Sequence, residues 1–201
     1  MDTVWRAMTL LDWPVAVPTL TDGSVMLRGW SNQDADAVYA ACQDPEIQRW
    51  MDIPVPYLLE HAIQFTGEHS ARQWSSQKGA PFAITDPANG GVLGSCGLIN
   101  VDARHLVAEV VYAIVPSARG SGVAQRAVGI LCEWAFREIG IARLEFYIGP
   151  GNAASRAVAD RVGCRLEGLL RDKALIGNSR RDLAIYALIK ADTPARQPRS
   201  A

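Results

Sequence analysis

Residues 108–136 read AEVVYAIVPSARGSGVAQRAVGILCEWAF, an apolar strand that runs into a glycine-bearing turn and then into a long amphipathic helix. Side chains alternate along an extended chain, so Val110, Tyr112 and Ile114 share one face, and Val111, Ala113 and Val115 share the other. Both faces are apolar, which predicts a central strand, residues 108–115, covered on both sides. Pro116 has no N–H to give to a ladder and ends it, and residues 117–122 are small enough to turn sharply. From Val123 the apolar residues fall at Ala127, Ile130, Leu131, Trp134 and Ala135, a helical spacing that continues to about Ile139.

Strand, turn and helix in this order build an anion site. The first N–H groups of the helix have no intrahelical acceptor, and the aligned peptide dipoles add partial positive charge there. The backbone of Gly120, Ser121, Gly122, Val123 and Ala124 supplies the donors, the glycines keep side chains away, and Arg119 adds a forked, permanent cation suited to phosphate. No Gly-Lys-Ser/Thr follows the turn, and R-G-S-G-V-A is not G-x-G-x-x-G, so neither a P-loop nor a dinucleotide fingerprint is present. On spacing alone, an ordinary strand-to-helix connection with an exposed arginine fits as well.

The rest of the chain bounds the answer. At 201 residues, 49% of them hydrophobic, it is expected to fold as one domain with a substantial core. A formal net charge of −1 with both signs interspersed gives no general attraction to nucleic acid or to an anionic membrane, and neither is expected as a partner. Asp2 and Asp12 interrupt the N-terminal stretch where a signal peptide needs apolar residues, so a cytoplasmic location is expected. Cys42, Cys96, Cys132 and Cys164 are scattered without a CxxC pair, and His61, His69 and His105 lack ligand spacing; no metal is expected.

In chain order, residues 1–19 form an extension in which Trp5 and Trp13 look for a surface to pack on. A strand at 25–28 follows the Asp22-Gly23 turn, and Ser31 with Asp34 makes a capping box for a helix with the stripe Ala37, Val38, Ala41 and Cys42. Asp44-Pro45 starts a short helix to Trp50, and prolines hold residues 51–57 extended. Helical spacing over 58–77 is weakened by Gly67. Strands at 81–86 and 92–100 form a hairpin, 143–148 a further strand, and Asn152 caps a helix to Val162. Strands at 166–176 and 181–189 make a last hairpin over Gly177-Asn178. A domain over 20–190 and a flexible tail over 191–201 complete the expected organisation.

Arg119, Gly122 and Ala124 fall on the three defined positions of Q/R-x-x-G-x-G/A, the pyrophosphate motif of the GCN5-related N-acetyltransferase (GNAT) superfamily, which this sequence resembles. Asn152-Ala-Ala-Ser155, Val162-Gly163-Cys164 and Glu167-Gly168 extend the resemblance over roughly residues 20–190, closest to the branch of the ribosomal-protein alanine N-acetyltransferases. The resemblance implies an α+β fold: a three-layer α/β/α sandwich around one mixed, mostly antiparallel sheet whose central strand pair splays apart. It implies acetyl-CoA, or another acyl-CoA, as co-substrate, its pantetheine arm pairing with the backbone of Ile114 and Val115, its pyrophosphate on the turn, and Asn152 fastening the other wall.

The chemistry so implied is transfer of an acyl group to a primary amine, on a small molecule or a protein N-terminus. An ammonium cannot attack a thioester, so a base is needed. Glu109, at the start of an apolar strand, occupies the place of the base in several such enzymes; a solvated strand-end carboxylate, or one in an ion pair with Arg104 or a neighbour, is the other reading. Many relatives carry a tyrosine seven residues after the Asn152 position to serve the leaving thiolate, but here that residue is Ala159. Ser155 is the replacement the branch suggests, against an ordinary first-turn serine, with Tyr112 and Tyr147 as further donors. Trp50 and Tyr57 are either a wall of the acceptor pocket or a lid on the core. A CoA-binding regulatory module without catalysis is the alternative that Ala159 leaves open. A homodimer is compatible with the sequence, which does not specify one.

Overall fold

The computed structural model describes residues 11–192. Eight strands form a single sheet in the order β1-β2-β3-β4-β5-β6-β8-β7: β1 Leu20–Thr21, β2 Met26–Arg28, β3 Ala80–Thr85, β4 Val92–Asp102, β5 Val107–Ile114, β6 Arg143–Ile148, β7 Arg165–Ile176 and β8 Ser179–Ile189. Every neighbouring pair is antiparallel except β5 and β6. That exception makes the site. The two strands pair only at Val107↔Arg143, Ala108↔Leu144 and Glu109↔Glu145, and beyond that rung they diverge.

The strand expected to be central is central. Its apolar alternation is used on both faces: Cys96 of β4 and Val110 of β5 join the main core under helix α5, Val123–Trp134, while Ser95 and Ala113 border Val38 and Ala41 of α1, Ala35–Cys42. The six-residue α2, Pro45–Trp50, starts at Asp44, whose Oδ1 accepts the N–H of Ile47 at 3.0 Å. Asp34 completes the capping box and is also the buried partner of Arg28, with two bonds of 2.7 and 2.8 Å. Helix α6, Ala153–Arg161, packs against β6 and α5 and shares the main core with α5, while α1 borders the other face.

The helix expected over 58–77 is not continuous. It divides into α3, Leu59–Gln64, and α4, Ser70–Ser75, joined by a widened turn at Phe65–His69 in which Gly67 has φ −102° and ψ −106°. The break lets α3 pack on α1 while α4 packs on β3. The helix after the glycine turn likewise ends in a widened turn, Ala135–Ile139, before Gly140. Trp5 and residues 193–201 lie outside the described residues. Trp13 packs on Trp74 and Trp134, with ring centroids 5.2 and 6.4 Å away, and Leu11 is buried in the main core.

Candidate active site

A cleft of about 1320 Å³ opens where β5 and β6 part. Glu109 and Glu145 stand side by side on the last shared rung, one from each strand, and both line it. Burial pushes the Glu109 carboxyl above its ordinary value; the Glu145 charge adds to that, while a 2.9 Å hydrogen bond from Asn100 Nδ2 and the Lys173 charge oppose it. No ion pair with Arg104 is present among the described residues. Glu145 is held differently: Arg143 Nε donates to it at 2.7 Å and the Tyr147 hydroxyl at 2.8 Å. Burial and that carboxylate push the Tyr147 phenol up to about 12, so near neutrality it remains a donor.

Across the fork, Asn152 caps α6 by accepting the Ser155 N–H at 3.0 Å. This fixes Ser155, whose Oγ lies 2.6 Å from the Tyr112 hydroxyl, with the Ser155 carbonyl 3.1 Å from the same hydroxyl. Burial raises Tyr112 to about 12, leaving a linked pair of neutral hydroxyls on the cleft wall. Ala159 is fully buried and packs in the main core.

Trp50 is half-buried against the turn after β6, where a Cβ on Gly149 would come within 2.5 Å of its ring, so only glycine allows this approach. Its indole donates to Glu46 at 3.0 Å and Arg49 lies 4.7 Å from the ring centroid. Tyr57 is buried in a second small core with Ala35, Val38 and Ala62, and it reaches the cleft as well. Both aromatics therefore border the same space.

At the far side of the fork, Gly122 begins α5 with φ +82° and Gly120 has φ +76°, and at neither does any atom lie within 4 Å of where a Cβ would project. The first-turn N–H groups of Val123 and Ala124 point out of the helix start with no intrahelical carbonyl to meet. Arg119 is not the free cation the sequence suggests. Its Nη2 lies 2.6 Å from Asp44 Oδ1 and its Nε donates to the Ile114 carbonyl at 3.2 Å. That carbonyl faces the gap. Val115 departs from expectation: its N–H donates to Leu93 and its carbonyl accepts from Ala118, so its backbone is already satisfied within the domain. The residues nonetheless fit an acyl-CoA, with an unobstructed glycine turn rich in N–H donors next to an unpaired stretch of β5. Among the described residues no cluster of three or more His, Cys, Asp or Glu could hold a metal, and no helix is long and apolar enough to cross a membrane.

Asn100, Glu145 and Lys173 were not singled out from sequence. Glu145 carried a weak signal as the charged member of Arg143-Leu-Glu-Phe-Tyr-Ile148, but its place beside Glu109 comes from strand register alone.

A mixed sheet that splays at one parallel pair, with a glycine-entered helix at the end of the first splayed strand, defines the acyl-CoA-dependent acyltransferases of the GNAT fold. The chain matches the family profile described as "Acetyltransferase (GNAT) domain" over residues 24–165, and it belongs to that family. It is thereby an acetyl-CoA-dependent N-acetyltransferase. It is 24% identical over 173 residues to the uncharacterized N-acetyltransferase YoaA of Bacillus subtilis (strain 168), covering 86% of this chain and 97% of that one. It is 33% identical over 104 residues to the putative ribosomal N-acetyltransferase YdaF of the same organism, covering 52% and 57%. In structure it is similar to Mycobacterium smegmatis RimJ, solved in complex with CoA-disulfide, with a TM-score of 0.81, 24% identity and 92% of each chain covered.

Proposed function

We propose that the protein moves an acetyl group from acetyl-CoA to a primary amine by direct attack, with Glu109 as the general base. The observation that carries this reading is the place of Glu109: a carboxylate made more basic by burial, on the last rung before the strands part. A raised pKa lets a carboxylate hold a proton near neutrality, which a base must do to relieve an ammonium of one. Asn100 orients the carboxylate through one oxygen and leaves the other for the acceptor. Acetyl-CoA supplies the acetyl group as a thioester, a C–N bond forming as the C–S bond breaks. The Tyr112–Ser155 hydroxyl pair is the proton source for the departing sulfur, and Asn152 serves it indirectly by fixing the start of α6.

Ile114, Arg119 and the backbone of Gly120, Ser121, Gly122, Val123 and Ala124 form the cofactor side. Trp50 and Tyr57 form the acceptor side. The name of YdaF, a putative ribosomal N-acetyltransferase, favours a ribosomal protein as the acceptor, and a protein N-terminus offers the primary amine. The test is acetyl-CoA thiol release with a panel of amines and N-terminal peptides. Glu109→Gln is expected to lower kcat about 100-fold or more, with acetyl-CoA affinity unchanged within about twofold. Undiminished turnover in that variant would remove Glu109 from the mechanism.

A further inference from the structure

The cleft is acidic at its floor and basic along one lip. The floor holds Glu109 and Glu145. The lip is the β7–β8 hairpin, where Lys173, Arg180 and Arg181 all border the cleft. Lys173 begins one side chain from the floor, its Nζ 5.3 Å from the centroid of the Tyr147 ring whose hydroxyl binds Glu145. Arg180 and Arg181 follow on β8, opposite Leu175 and Ala174.

The Lys173 charge acts on Glu109, but none of the three cations is closed by direct contact with a carboxylate among the described residues. Arg28, Arg119 and Arg143 are each closed by an aspartate or glutamate, whereas Lys173, Arg180 and Arg181 have no such ion pair among the described residues. Arg180 leans on backbone, Nη1 donating to the Asp172 carbonyl at 3.1 Å. Asp182, a carboxylate of the same hairpin, accepts the Asp172 N–H at 2.9 Å, where β7 takes a left-handed turn at φ +52° and its register shifts. Asp52, on the loop from α2, and Asp182 border the cleft as two opposing charges against the three cations.

Resting on the acetyl-transfer reading above, we propose that this cleft selects acidic peptide N-termini: an amine at the Glu109–Glu145 floor, with carboxylates on the next residues against Lys173, Arg180 and Arg181. An extended peptide advances about 3.4 Å per residue, so its second to fourth residues lie within about 10 Å of the amine, on the side of Lys173. The long side chains of Arg181 and Arg180 stand beyond them, six and seven residues along β8 from Ala187, the partner of Glu145. Exposed cations add little to domain stability but discriminate among partners by charge, and they do so less as salt rises.

The test compares peptides that begin with the same small residue and carry Asp/Glu, Ser/Gln or Lys/Arg at positions two to four, with free glutamate as a separate acceptor. The acidic peptides are expected to exceed the neutral ones by about tenfold or more in kcat/KM at low salt, the ratio shrinking in 0.5 M NaCl, roughly where screening becomes short-ranged. Arg180→Glu with Arg181→Glu should raise KM for acidic peptides and collapse the ratio, while KM for acetyl-CoA stays in place. Equal use of all three peptide classes, or a ratio untouched by the double substitution, overturns the proposal, as does free glutamate outperforming every peptide. If no amine or peptide releases thiol, the acetyl-transfer reading has failed on its own account. Anisotropy of C-terminally labelled peptides, with acetyl-CoA present, then decides the lip: tighter binding of the acidic peptide sustains it, and equal or absent binding refutes it.

Discussion

Glu109 trades stability for chemistry. Its carboxyl is raised above the ordinary value in the fold, so the native state holds that proton more tightly than the unfolded chain does. The sign follows: the ionised carboxylate costs stability at pH above its folded value, and the cost disappears as pH falls below its unfolded value near 4.5. Glu109→Gln, whose amide oxygen can still accept from Asn100, is expected to raise the melting temperature at pH 8 while lowering turnover. The gain should fade toward pH 4. Calorimetric melts across that range check it, and a pH-independent difference would mean that packing, not charge, sets the change. Glu109 was readable in the sequence as a lone carboxylate in an apolar strand. Its partners were not, because Asn100 arrives across an antiparallel register and Glu145 across a parallel one.

At the level of elements, the decisive part is the turn between β5 and α5. Gly122 sits at φ +82° with open space where a side chain would project, so a replacement there is strained by backbone and faces the helix start. Gly122→Asp is expected to weaken acetyl-CoA by at least about tenfold, through roughly 1 kcal/mol of backbone strain and a like charge beside the phosphates. Titration calorimetry reads this directly, and an unchanged Kd would place the pyrophosphate elsewhere. Local signals located most element ends here: Asp44 and Asn152 as caps, Pro116 as a stop, Gly177-Asn178 as a hairpin turn. They failed over 58–77, where helical spacing continues through Gly67 while the backbone does not. Periodicity reports which face is apolar, and a break with the same face buried on either side leaves it intact.

For the molecule as a whole, the N-terminal strap is part of the core. Trp13, Trp74, Trp134 and Phe82 form one aromatic cluster, Asp12 N–H donates to Ile139 at 3.1 Å, and the Trp74 indole donates to Pro14 at 3.2 Å. Trp13→Ala is expected to cost about 3 kcal/mol in urea unfolding, by loss of buried aromatic contact, with the acetyl-CoA site left in place. A loss below about 0.5 kcal/mol would mean that the strap is only laid on the surface. What the sequence by itself determined was the central strand and the glycine-entered helix, because both are written in contiguous residues through alternation and helical spacing, while the cofactor followed from the resemblance of Arg119, Gly122 and Ala124 to the GNAT pyrophosphate motif. Only the tertiary structure decided where β5 and β6 part, that Arg119 is tied to Asp44, and that Lys173, Arg180 and Arg181 rim a cleft floored by Glu109 and Glu145. Those facts depend on strand register and long-range packing between segments far apart in the chain, which no local pattern encodes.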